Sequence, residues 1–211
     1  MNTNAPQPLH VWIFNDASIA SLLHPDSPLW SGFSPALIAE VSDRPALAYS
    51  LDLETPASYP GIAGLLGATT NPADLTVRLP RLQLPAILAP ALPLNSSVWL
   101  AALRRLAHDP RISGPRVVLV DAALVPSLLP ALALADRIGL AWDLSTPPGA
   151  PLQALLQVLT QDGLLRQNTW AGIAAYFSAD HAPSAEELSS AETSLAALPG
   201  GRLLPALAPA S

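Results

Sequence analysis

Arg116-Val-Val-Leu-Val-Asp121 is the stretch whose reading decides the fold. Three of its four apolar residues are β-branched, which favours extended backbone. No polar residue interrupts them, so neither side of the strand is left to face water. That is the pattern of a strand buried on both faces of a parallel sheet. Ile138-Gly-Leu-Ala-Trp-Asp143 has the same character, and Leu9-His-Val-Trp-Ile-Phe14 is a third β-type run, ending at Asn15-Asp16. Val117 to Val120 and Leu140 to Trp142 are expected as neighbouring interior strands.

Helical patterns lie between and after these runs. Asn95 to His108 is the clearest: Asn95 or Ser96 caps it, and Trp99, Leu103 and Leu106 fall on one face. Ala122 to Asp136 reads as mostly helical, started or kinked by Pro126 and Pro130. Pro151 opens a helix with Leu152, Leu155, Leu156 and Leu159 on one side, closed by Gly163. Ser184-Ala-Glu-Glu187 is a capping box ahead of Leu188, Leu195 and Leu198. Earlier in the chain, Asp16 or Ser18 caps a short helix through Leu23. Ser34-Pro35 opens a second one to about Val41.

Ala46 to Asp52 reads as a strand, Pro60 to Leu66 as a helix ended by Gly67, and Leu75 to Leu79 as a half-buried strand. Pro80 to Pro93 has no clear period and is expected as a loop or edge segment packed against the core. Leu164 to Phe177 fits either helix or strand, and helix is the favoured reading. Strands alternating with helices predict an α/β fold: an open, mainly parallel sheet with helices on both faces, Rossmann-like and three-layered. A single domain is expected over residues 1–201, with residues 202–211 as a flexible Ala/Leu/Pro tail.

Composition narrows the chemistry. All ten basic residues are arginines, so a Schiff-base lysine, a P-loop lysine or a lysine general base is excluded. There is no cysteine, which removes disulfides, thiolate nucleophiles and Cys-ligated zinc. A formal net charge of -6 argues against a broad nucleic-acid footprint, which needs a positive face. The 24 prolines belong at element ends and in loops. Met1 to Pro8 lacks a basic n-region, and the apolar run Ala122 to Ala135 is too short for a membrane span. A cytoplasmic location is the resulting expectation.

One constellation offers chemistry. Asp16, Asp52, Asp121 and Asp143 each end an expected strand, and Glu54 follows Asp52 by two residues. In a parallel sheet these ends share the edge at which open α/β folds bind ligands. Asp16, Asp121 and Asp143 there would hold Mg²⁺ or Mn²⁺ and position a phosphate or a water. The competing reading is that each aspartate caps the helix after its strand. Ser145-Thr-Pro-Pro-Gly149 offers hydroxyls at a strand-to-helix loop, but its prolines remove amide donors. G-x-G-x-x-G, G-x-x-x-x-G-K-[ST] and G-x-S-x-G are all missing. His10, His24, His108 and His181 show no metal-ligand spacing. Arg104 and Arg105 read as a solvated face, and the five tryptophans mostly as core anchors.

Two functions follow. The first is a non-catalytic α/β subunit or protein-interaction module of a cytoplasmic assembly. It would form a homo-oligomer or bind a protein partner through apolar surface including part of Pro80 to Pro93. The second is a small divalent-metal-dependent phosphoryl-transfer enzyme or hydrolase using the strand-end aspartates.

Overall fold

The computed structural model describes residues 8–15, 23, 33–56, 58–79, 83–90, 93–145, 150–166, 169–177, 181–198 and 200–204. Among them the strands are β1 (Leu9–Phe14), β2 (Leu37–Val41), β3 (Val77–Arg78), β4 (Pro85–Ile87), β5 (Arg116–Asp121), β6 (Arg137–Asp143), β7 (Trp170–Tyr176) and β8 (Gly201–Leu203). The α-helices are α1 (Ala46–Ser50), α2 (Ser96–His108), α3 (Val125–Leu132), α4 (Ala150–Gln161) and α5 (Ala185–Ala196). The strands form one sheet in the order β3-β4-β2-β5-β1-β6-β7-β8. Only the short β3 edge strand runs antiparallel to its neighbour.

The layering follows from handedness. From β4 onward the chain steps in one direction across the sheet, to β5, β6, β7 and β8. Right-handed crossovers therefore place α2, α3, α4 and α5 on the same face. Their apolar stripes pack there on Val11, Ile13, Ala39, Val118, Val120, Leu140 and Ile173. The other face buries Trp12, Phe14, Ile38, Val117, Leu119 and Ala174 beneath α1 and the segment reaching Tyr59. Gly139 serves this second layer: a Cβ there would lie 2.4 Å from the Trp12 ring, so the glycine makes room for the indole.

Several expectations shift. β5 and β6 are both interior and parallel to β1, but β1 lies between them, so they are not direct neighbours. Residues 37–41, expected as helix, form β2, buried on both faces between β4 and β5. Ala, Leu and Glu suit a helix locally, but here two neighbouring strands satisfy an extended backbone. Residues 46–50, expected as strand, form the single-turn α1. Asp52 follows its C-cap with φ +50, a left-handed conformation that Asp tolerates. Residues 170–176, expected as helix, form β7. Gly172 in it has φ +101, and a Cβ would lie 2.5 Å from the Gly200 carbonyl oxygen, so β8 approaches only because of glycine.

Within the apolar stretch after β3, residues 85–87 form β4 inside the sheet, and Leu88 and Ala89 are buried beyond it. That apolar character is used in the fold's own core, which weakens the case for a docking surface there. β8 takes up Arg202 and Leu203, so the sheet extends two residues into the expected tail. The expected helix of residues 18–23 lies outside the described residues except for Leu23, which is buried.

Candidate functional site

The chain leaves β1 toward β2 on one side, and leaves β5 and β6 toward the other. Such a reversal opens a crevice at the C-terminal strand ends of an α/β sheet. The residues that meet at this edge are Asn15, Glu40, Ser42, Asp121 and Asp143.

Asp121 and Asp143 lie on the same side of the sheet. Register puts Asp121 level with Phe14 and Ala141, so Asp143 stands two residues further along, two strands away. Strand spacing and rise convert this to about 12 Å between their backbones. A shared ion would need both side chains stretched fully toward each other. Each instead commits an oxygen locally. Asp121 Oδ1 accepts from the Ala123 amide at 2.9 Å, capping the 3-10 turn that leads into α3. Asp121 Oδ2 accepts from Ser42 Oγ at 3.3 Å. Asp143 is 1% exposed, and its Oδ1 accepts from the Ser145 amide at 2.8 Å.

Asn15 ties β1 to β6. Its Oδ1 accepts from the Asp143 amide at 2.8 Å, while its Nδ2 donates to the Asp143 carbonyl at 3.2 Å. The side chain thus prolongs the sheet ladder one step past the end of β1 and closes the gap there. Asp16 lies outside the described residues, as do Thr146 to Gly149 and His24. Asp52 and Glu54 are exposed and follow α1 rather than a strand. Among the described residues, no group of three or more His, Cys, Asp or Glu is placed to hold a metal ion.

Sequence reasoning passed over Glu40, the one acid in the apolar run before Ser42. It is fully buried, yet both oxygens are used: Oε1 accepts from the Leu47 amide at 2.9 Å and Oε2 from the Ala89 amide at 2.9 Å. It therefore binds the N-terminal end of α1 to the end of β4. Burial pushes its carboxyl up to about 7, against the lowering effect of those amides, and nearby Asp121 adds to the rise. Tyr59 stands beside it, donating to the Leu75 carbonyl at 2.6 Å and accepting from the Leu88 amide at 3.1 Å; burial pushes its phenol up to about 12. A lone acid among apolar residues is the signal that marks Glu40.

Several other polar residues are engaged elsewhere. The His10 ring stacks on Phe33 at 4.0 Å, and His181 Nε2 lies 3.2 Å from Glu187 Oε1. Arg105 pairs with Asp109 at 3.6 Å, while Trp12, Trp99 and Trp142 are core residues.

The sequence matches no protein-family model and no curated protein. Solved structures do match in shape. A plasmid partition protein from Borrelia burgdorferi aligns with 95% of this chain and 90% of its own, at TM-score 0.59 and 10% identity. Cobyrinic acid a,c-diamide synthase from Mycobacterium smegmatis aligns over 96% and 86%, at TM-score 0.59 and 13% identity. A McdA–ATP complex from Cyanothece aligns over 97% and 85%, at TM-score 0.55 and 14% identity. The chain is thus similar to these proteins in its mostly parallel, layered α/β architecture, and at these identities the similarity shows the fold alone.

Proposed function

We propose that this chain keeps the architecture of a nucleotide-dependent ATPase without its phosphoryl-transfer chemistry, and acts as a non-catalytic α/β subunit or interaction module of a cytoplasmic assembly. The observation that carries the reading is the closed β1–β6 edge. A phosphate cradle after the first strand needs glycines whose amides approach the phosphates, and a lysine to offset their charge. Here β1 runs into Asn15-Asp-Ala-Ser-Ile-Ala-Ser-Leu-Leu23, with no glycine, and the whole chain has no lysine. Asn15 holds the gap to β6 shut, and the nearest carboxylates repel a polyphosphate. No helix among the described residues is long and apolar enough to cross a membrane.

Similar folds solved with ATP, or with an ATP analogue and magnesium, make nucleotide the ligand to test. Purified protein is expected to show no magnesium-dependent ATP hydrolysis and no rise in melting temperature with Mg-ATP. Turnover that Asp143→Asn abolishes would overturn the reading.

A second reading draws on the register that sets Asp121 and Asp143 on one side of the edge, on the two strands that flank β1. In it Asp16, Asp121 and Asp143 hold Mg²⁺ or Mn²⁺ for phosphoryl transfer or hydrolysis. It requires that metal alone raise the melting temperature and that Asp121→Asn reduce the rise. The capping geometry argues for no such rise.

A further inference from the structure

Charge is graded across the helical layer. The crossovers that place α2, α3, α4 and α5 on one face also set them side by side in that order. α2 carries Arg104, Arg105 and His108 and no acid. α3 and α4 carry no charged residue. α5 carries Glu186, Glu187 and Glu192 and no base. The charges just beyond α3 and α4 alternate in sign, Asp136 with Arg137 and Asp162 with Arg166, so they add no net charge.

The graded side chains face away from the sheet. Trp99, Leu103 and Leu106 hold one side of α2 in the core, and Arg104 and His108, four apart, are exposed on the opposite side. On α5, Leu195 is the buried residue, and Glu186 and Glu192 are exposed. Glu187 is engaged by Ser184 and His181, so Glu186 and Glu192 carry the outward charge of this side. Between them α3 exposes Pro126 and Pro130, and α4 exposes Gln153 and Gln157.

A surface with a neutral middle and opposite charges at its two sides is complementary to a second copy of itself turned over. With a two-fold axis between α3 and α4, α2 of one copy lies against α5 of the other, and neutral helices meet neutral helices. Each chain has a net charge of -6, so two copies repel unless opposite charges are paired where they meet. The area is sufficient. Helices of 13, 8, 12 and 12 residues, set about 10 Å apart, present about 700 Å². A partner in a stable complex buries about 800 Å². An uncharged centre inside a charged rim is also the usual anatomy of such an interface.

We propose that two copies of this chain associate through their helical layers, α2 of each against α5 of the other, with Arg104 paired across the rim to the acids of α5. The inference rests on the reading of the chain as an interaction module and names a second copy as the partner.

Sedimentation equilibrium of the full chain over a range of micromolar concentrations tests it. A monomer–dimer equilibrium is expected, weakened by salt. Arg104→Glu and Glu186→Arg should each weaken the dimer at least about tenfold, because a two-fold axis makes every substitution act twice. The two together should restore it to within severalfold of the wild type. Should circular dichroism show Glu186→Arg to be unfolded, Glu192→Arg takes its place. A monomer at every concentration, a ladder of species larger than the dimer, single variants that leave the dimer unchanged, or a double variant no tighter than the single ones would each overturn the proposal. A monomer without ATP turnover would leave the non-catalytic reading standing, whereas turnover in an intact dimer would overturn that reading alone.

Discussion

Glu40 is the residue through which pH acts most directly on this fold. Its carboxyl is raised from 4.5 to about 7 because burial disfavours the charge more than two backbone amides favour it. Between these values the folded chain holds a proton that the unfolded chain releases. Stability from this group is thus fully present below pH 4.5 and is lost as pH rises through about 7. The shift corresponds to something on the order of 3 kcal/mol across the window. Melting temperature followed from pH 5 to pH 8 should fall in the wild type, after allowance for other groups. In Glu40→Gln that slope should flatten, at a lower overall stability, because the new amide nitrogen faces a backbone donor. A variant with the wild-type slope would show that Glu40 is not the titrating group. Asp109 works in the opposite sense. Arg111 holds its carboxyl down at about 2, so its contribution is present above pH 4 and is lost as pH falls toward 2.

At the level of elements, the joint between α2 and β5 is fastened by one buried arginine. A helix end leaves carbonyls without partners. Arg116, the first residue of β5, is 3% exposed and donates to the carbonyls of Ala107, Asp109 and Ile112 at 2.6, 2.8 and 2.6 Å. The strand thereby caps the helix that precedes it. Arg116→Met keeps the length and loses the donors, leaving buried carbonyls unpaired. The expected loss is about 3 kcal/mol or more, read as a lower urea midpoint with an unchanged m-value. A change within experimental error would mean that water replaces the guanidinium. The expected caps of two helices are present as side-chain bonds. Asn95 Oδ1 accepts from the Val98 amide at 3.0 Å, and Ser184 and Glu187 bond reciprocally. These signals were legible because a cap involves only residues three apart. The identities of β2, α1 and β7 were not legible, because long-range partners decide them: β4 and β5 flank β2, Glu40 seizes the amide of α1, and β6 and β8 flank β7.

The molecule as a whole is ordered from its centre outward. β5, β1 and β6 carry parallel neighbours on both sides and helical cover, whereas β3 has two residues and β8 three. Hydrogen exchange should therefore be slowest at Val11 to Ile13 and Val118 to Val120, opening only with global unfolding, and much faster in β3 and β8. Uniform protection across the eight strands would contradict this gradient. The same order bears on function, because the Asn15–Asp143 link and the Asp121 cap sit at the ends of the most central strands.

The sequence alone established the class. Runs of β-branched residues without polar interruption demand burial on both faces, and capped amphipathic stretches between them supply the cover. It also established the missing chemistry, since a chain without lysine or cysteine forgoes the reactions those residues perform. Only the tertiary structure decided that β1 separates β5 from β6, that residues 85–87 are interior, and that Asp121 and Asp143 bond their own loops. It also decided that a lone glutamate joins two elements far apart in sequence. These outcomes rest on contacts between residues tens of positions apart, such as Glu40 with Ala89 and Asn15 with Asp143, and no local pattern encodes such pairings.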